Sequence, residues 1–250
     1  IYNVLRIESF RSAQQIINHD ILYSLFIDYS NNLWIGSLAG IDKTNLSNTG
    51  IEIYANSQDP YTYNLLDNVI ASVYQDKYDR LWIGNWGKGL NILDFKNKQT
   101  LHYTSENEGK HRVPENHLQV IFEDSRERIW IGTRDGVSIY NKDTEKFIPA
   151  HKVFNAEIFD CFQNIRVYAM MEDHEGKIWI ATGNGIYVLD LYSKDLITLR
   201  ADGISDLRIS SNLVYSIIQD SENEIWIATS RGLNRYNPFT GEMTEYHNEP

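Results

Sequence analysis

One short phrase governs what this chain can fold into. NLWIGSLAGI at residues 32–41 returns as RLWIGNWGKGL at 80–90, RIWIGTRDGV at 128–137, KIWIATGNGI at 177–186 and EIWIATSRGL at 224–233. Its tryptophans are Trp34, Trp82, Trp130, Trp179 and Trp226, and the gaps between them are 48, 48, 49 and 47 residues. A period of about 40–50 residues with a tryptophan signature belongs to a propeller or a solenoid. The interior of one unit separates the two. In NVIASVYQDKYDRLWIGNWGKGLNILDFKNKQTLHYT (68–104) an apolar run over 69–75 leads to a turn opening at Asp76. Further strand-length runs over 81–84, 90–94 and 100–104 follow, separated by tight turns, the first of which ends at Gly89. Four short antiparallel strands per unit are predicted. No segment sustains the 3.6-residue spacing that a helical solenoid requires.

The expected fold is therefore all-β: a β-propeller of four-stranded antiparallel blades. The units are placed at about 18–64, 65–112, 113–161, 162–208 and 209–250 of a single domain spanning 1–250. Residues 1–17 fit no complete unit and read as the last strands of a preceding blade.

The recurring residues then have structural duties. Asp28, Asp76, Asp124, Asp173 and Asp220 each stand six residues before a repeat tryptophan. An Asp at such a corner can accept a hydrogen bond from its own backbone two residues on and so fix the turn. Gly40, Gly89, Gly136, Gly185 and Gly232 end the second turn, where a positive φ is expected. Four residues before each Asp stand Ser24, Ser72, Val120, Ala169 and Ser216, mostly small, as expected for innermost strands crowding the axis. The tryptophans are expected to fill the space between blades, since one blade cannot bury both its faces alone. A metal-binding reading of the Asp column fails on two counts: the five lie on separate blades, and no unit has the EF-hand pattern. DYSNNLW and DHEGKIW resemble the sialidase Asp-box with one more residue between Asp and Trp, and that box is itself a turn device.

Residues 212–233, NLVYSIIQDSENEIWIATSRGL, resemble the two-component regulator propeller repeat, and residues 20–41 and 68–90 resemble it nearly as well. The third unit departs at Val120, the fourth at Arg166 and Tyr168. The resemblance implies the periplasmic sensor half of a hybrid two-component histidine kinase, the ectodomain of an inner-membrane receptor. It further implies an oligosaccharide signal, and an adjacent propeller and an immunoglobulin-like domain as neighbours in the same receptor. The resemblance also implies seven blades, so the five are expected to be part of a seven-bladed propeller. A homodimer is a separate candidate partner.

Charge narrows the partners independently. With 23 basic against 34 acidic residues the net charge is -11, which disfavours a nucleic-acid backbone or an anionic membrane surface. No apolar run is long enough to span a bilayer. The seven histidines are scattered without metal-ligand spacing. GSLAG (36–40) is not a nucleophile elbow, and GNWGKG (84–89) is not a dinucleotide fingerprint. Cys161 in FDCFQN reads as a buried thiol. No catalytic constellation, metal or cofactor is expected.

In an antiparallel meander the Asp-bearing turns lie on one face, and the turns between second and third strands lie on the other beside the blade-to-blade connections. That second face carries the variation: SLAG, NWGKG, TRDG, TGNG and TSRG. Variable loops on a constant scaffold are where binding is expected. The candidate ligand-binding residues are Trp86, Lys88, Arg134, Asp135, Asn184 and Arg231. Trp86 is the only tryptophan outside the repeat column, it sits beside a one-residue insertion, and an exposed indole suits stacking on a sugar ring. Each also has a plainer reading, as a solvated loop residue or, for Trp86, as packing for its own loop. The connections add Tyr61, Tyr63, Lys110, His111 and Arg112. Two alternatives stand beside the sensor. One is a propeller lyase or glycoside hydrolase, which would need Arg134, His111 and Arg231 together at the axis. The other is a dimerisation platform that binds no ligand.

Overall fold

The computed structural model describes residues 21–45, 51–56, 63–154, 161–203 and 207–247. Residues 1–17 and Tyr61 lie outside the described residues. The chain forms five four-stranded antiparallel sheets, each with its strands in chain order. Blade one is β1 (Leu22–Ile27), β2 (Asn32–Ser37), β3 (Gly40–Asn45) and β4 (Ile51–Tyr54). Blade two is β5 (Ile70–Gln75), β6 (Arg80–Asn85), β7 (Gly89–Asp94) and β8 (Gln99–Tyr103). Blade three is β9 (Leu118–Glu123), β10 (Ile129–Thr133), β11 (Gly136–Asn141) and β12 (Lys146–Pro149), followed by one helical turn, α1 (Ala150–Val153). Blade four is β13 (Val167–Glu172), β14 (Ile178–Thr182), β15 (Gly185–Leu189) and β16 (Leu196–Leu199). Blade five is β17 (Val214–Gln219), β18 (Ile225–Thr229), β19 (Gly232–Asn237) and β20 (Glu242–Tyr246). The innermost strands β1, β5, β9, β13 and β17 touch in succession, and the five blades follow one another around a ring as a five-bladed β-propeller.

The Asp corner is built the same way five times. One oxygen of Asp28 accepts the backbone N–H groups of Ser30 (2.9 Å) and Asn32 (2.8 Å). The other accepts the indole N–H of Trp34 at 2.9 Å. Asp76, Asp124, Asp173 and Asp220 repeat both sets, with indole bonds of 2.9, 2.8, 2.7 and 2.7 Å. The backbone bond was expected; the indole bond was not. It ties the first turn of a blade to the tryptophan that leaves it, and it occupies the carboxylate with donors from its own blade. Three residues after each Asp the chain turns left-handed: Asn31, Asp79, Glu127 and Asn223 have φ between 61° and 67°, and Gly176 has 81°. That residue lets the hairpin twist with its strands.

At the second turn a Cβ on Gly136 (φ 115°) would stand 2.2 Å from the carbonyl oxygen of Phe162, and one on Gly89 (φ 91°) 2.1 Å from that of Tyr103. Glycine is thus required there both for its φ and for a close backbone approach.

The blades share their cores. Trp82 packs edge-on against Tyr140 of blade three at 5.0 Å, Trp34 stacks with Phe95 of blade two at 6.1 Å, and Trp179 meets Tyr236 of blade five at 5.9 Å. These three tryptophans thus reach toward the following blade. The small column has a different cause from axial crowding. Ser24, Ser72, Val120, Ala169 and Ser216 pair across the ladder with Gly36, Gly84, Gly132, Ala181 and Ala228. Onto those pairs the next blade drives a fully buried side chain: a Cβ on Gly36 would lie 2.8 Å from Ile70, and one on Gly132 2.6 Å from Val167. Val120, the large exception, is met by Gly132, whose Cβ would also fall 2.6 Å from it. The smallness therefore belongs to the blade–blade interface, and it is shared by two residues rather than carried by one.

A second interblade device lies just before the Asp column. Gln75 accepts the backbone N–H of Tyr29, Glu172 that of Ser125 and Gln219 that of His174, each from the preceding blade. Blade one has Ile27 at this position. Its outward side is apolar and open: Leu25 is 64% exposed and Ile27 46%. On blade five Ile218 is exposed, and Trp226 is half-buried against its own Tyr246. Among the described residues, blades one and five do not share the kind of interface that joins the other neighbours.

Candidate functional site

The turns between second and third strands lie beside the connections that precede the inner strands, as the meander requires. Trp86 bridges His117, Arg134 donates its backbone N–H to the carbonyl of His117, Gly185 to that of Asn212, and Ser230 to that of Leu213. Each turn is held from within by a hydroxyl. Thr133 donates to the carbonyl of Gly136 and accepts the N–H of Asp135, and Ser37, Thr182 and Thr229 do the same in their blades. Blade two has Asn85 here. It reaches back to the carbonyl of Asp67 at 2.9 Å and accommodates the extra residue that brings Trp86 out of the turn.

The structure places the six candidates on this one face but does not gather them into one cluster. Lys88, Arg134, Asp135 and Arg231 are exposed and Asn184 is half-buried, each at the tip of its own turn. Asp135 lines a pocket of about 170 Å³ with Glu115, His151 and Phe162. The carbonyl of Arg231 takes a hydrogen bond from His247. His111 packs on Tyr103 at 5.1 Å, on the connection between blades two and three. Cys161 is half-buried rather than buried, because it touches the shared core only from its edge.

Trp86 alone of the six joins other blades by its side chain. It is 38% exposed and meets Tyr23 of blade one edge-on at 5.4 Å. The guanidinium of Arg166, at the entrance to blade four, lies 5.7 Å from its ring and 4.8 Å from the ring of Tyr168. Tyr168 in turn meets Tyr215 of blade five at 5.6 Å, and Arg166 donates to Gln119 of blade three at 3.1 Å. One chain of contacts thus crosses all five blades. Sequence reasoning passed over Tyr23, Gln119 and Tyr215 and noted Arg166 and Tyr168 only as departures. A signal was present. Eleven residues before each repeat tryptophan stand Tyr23, Ala71, Gln119, Tyr168 and Tyr215, a variable column inside an otherwise constant strand. The ladder shifts register at that residue in every blade, and such a bulge releases a side chain from the regular alternation.

A larger, more open pocket of about 650 Å³ lies between the Asp corner of blade two and the turn after β11 of blade three, lined by Lys77, Tyr78, Arg80, Asp94 and Lys142 among others. Three of its four lining cations are engaged, Lys77 with Glu127, Arg80 with Asp76 at 2.7 Å and Lys142 with Glu123 at 3.5 Å, and Lys96 is the fourth.

The fold and this face define a repeat propeller with a constant scaffold and one varied end. The family model described as two component regulator propeller matches residues 64–87, 161–184 and 208–231. The chain therefore carries two component regulator propeller repeats. No curated protein is a significant sequence match. Among solved structures, the chain is similar to the extracellular domain of BT3049 from B. thetaiotaomicron, described as a hybrid two component system: 19% identity, TM-score 0.56, 96% of this chain and 41% of that one. It is similar to the extracellular domain of BT4673 from the same organism at 18% identity and TM-score 0.64, covering 94% of this chain and 36% of that one. It is also similar to virginiamycin B lyase from Staphylococcus aureus at 15% identity and TM-score 0.63, covering 93% of this chain and 72% of that one. At these identities the likeness is one of fold. The chain spans 41% and 36% of the two receptor domains it matches. Among the described residues no helix is long and apolar enough to cross a membrane.

Proposed function

We propose that this chain is the ligand-sensing module of a two-component receptor, held in the periplasm as part of the ectodomain, and that its signal is an oligosaccharide. The matched repeats and the receptor ectodomains of the same fold support the sensor class. The observation that carries the sugar reading is Trp86: a half-exposed indole on the varied face, in contact with side chains of blades one and four. Aromatic faces of this kind stack on the apolar side of a pyranose while the N–H stays available. The virginiamycin B lyase likeness adds only fold.

A ligand that binds the native state raises its melting temperature by mass action. A melting screen against plant and host oligosaccharides is expected to show a rise with one glycan class, lost in Trp86→Ala. A flat response across the panel would contradict the sensing reading. It would favour the second reading, a packing module set between an adjacent propeller and an immunoglobulin-like domain or in a homodimer. That reading is supported by the exposed Leu25, Ile27 and Ile218 on the outward sides of blades one and five.

A further inference from the structure

Arg166 is the most constrained cation on the varied face. Its guanidinium lies against two rings, Trp86 at 5.7 Å and Tyr168 at 4.8 Å. Contact with ring faces orients a guanidinium and leaves its in-plane N–H donors to seek acceptors. One Nη donates to Gln119 at 3.1 Å. The Nε–H is buried and has no acceptor. No carboxylate pairs with Arg166 among the described residues, whereas Arg80, Arg128, Arg200 and Arg235 each have one. In a chain of net charge -11, a half-buried arginine with a neutral partner and an empty donor is an exception. A buried donor without an acceptor costs free energy that a ligand oxygen recovers.

We propose that the axial mouth formed by Tyr23, Trp86, Gln119, Arg166, Tyr168 and Tyr215 binds a sugar carrying a carboxylate, a uronate residue of an oligosaccharide. The carboxylate takes Arg166 on its Nε edge, through Nε–H and the Nη2 hydrogen beside it, the two-pronged geometry for which guanidinium is suited, while the other Nη2 hydrogen serves Gln119. The ring lies against the aromatic side chains that surround it. Blade two has Ala71 in the column where blades one, four and five have tyrosine, so the column offers its smallest side chain in the blade that contributes Trp86. The inference rests on the sensing reading and specifies its ligand class.

The test is a titration of the 250-residue chain, followed by tryptophan fluorescence and calorimetry. The probes are disaccharides of galacturonate, glucuronate and mannuronate, each beside its neutral counterpart, and acetate as the bare anion. At least one uronate is expected to bind ~10-fold or more tightly than its neutral counterpart, the scale of a charge-assisted pair, with affinity falling as salt rises. Arg166→Gln is expected to bring the uronate down to the neutral level, and Arg166→Lys to recover only part. The acid-to-neutral ratio is read on the unsubstituted chain, so a variant that fails to fold leaves the test standing. Equal binding of acidic and neutral sugars would overturn this inference and leave the sensing reading intact. Acetate binding as well as the uronates would overturn it by showing an anion site without sugar recognition. Binding of neither sugar class would overturn both.

Discussion

Removing the carboxylate of Asp76 is the sharpest perturbation of the repeat. Asp76 is 1% exposed, and Trp82, which donates to it, is fully buried. Asp76→Ala takes the acceptor from that indole, from the backbone N–H groups of Tyr78 and Arg80 at 2.9 and 3.0 Å, and from the Arg80 guanidinium at 2.7 Å. The indole is left buried and unsatisfied, a cost of about 1–3 kcal/mol. The turn bonds resemble a lost cap, about 1 kcal/mol. The Arg80 pair is partly exposed and adds about 1 kcal/mol. The sum is about 4 kcal/mol, which for a chain of this size lowers the melting temperature by roughly 8–16 °C. The internal control is Asp220→Ala. Trp226 is half-buried, the residue four after Asp220 is Glu224, and no cation pairs with that carboxylate in the described contacts, so about 2 kcal/mol is expected. Calorimetry or urea unfolding of the two variants measures the difference. A loss below about 1 kcal/mol for Asp76→Ala, or equal losses for both, would refute the view that this carboxylate anchors a buried indole.

Three further outcomes follow from the same packing. Gly136→Ala must place a Cβ 2.2 Å from the Phe162 carbonyl at φ 115°, so it is expected to lose about 2–3 kcal/mol in urea unfolding, against about 1 kcal/mol for Gly241→Ala, whose Cβ meets open space at φ 73°. Trp130→Ala is expected to lose about 3–5 kcal/mol because its ring is fully buried between blades, while Trp226→Ala, with only its own blade to pack on, is expected to lose about half as much in the same assay. His102 is held below the ordinary imidazole range by burial, and its Nδ1 lies 3.0 Å from Asn91. A depressed histidine means that the unfolded chain binds the extra proton. Its contribution is therefore present above about 6.5 and is lost as pH falls below that value, and His102→Gln is expected to flatten the fall in melting temperature between pH 7 and 5.

Much of the scaffold was legible because it repeats. Five copies of one phrase fix strand order, turn positions and the glycine requirement, since each copy meets the same local geometry. The strands of blade two fall within one residue of the runs read from 68–104. What repetition could not show is which side chains meet. The indole-to-Asp bond and the pairing of Val120 with Gly132 depend on geometry and register inside a blade, and the Gln75, Glu172 and Gln219 links to the preceding blade on contacts about a full repeat apart. That the varied turns share one face was legible because meander topology dictates it. The contact of Arg166 and Tyr168 with Trp86 was not, because they come from two blades away, and spacing along a chain does not state which bulged side chains turn toward one another.

The central claim is a division of labour: constant columns hold the blades, and the end bearing Trp86 and Arg166 meets the ligand. Amide hydrogen exchange of the chain with and without its bound oligosaccharide tests this most directly. Protection is expected to gather in 85–88, 114–118 and 164–168, with the Asp corners at 76–80 and 124–128 unchanged. Protection centred on those corners instead would contradict the account and move the site to the opposite face.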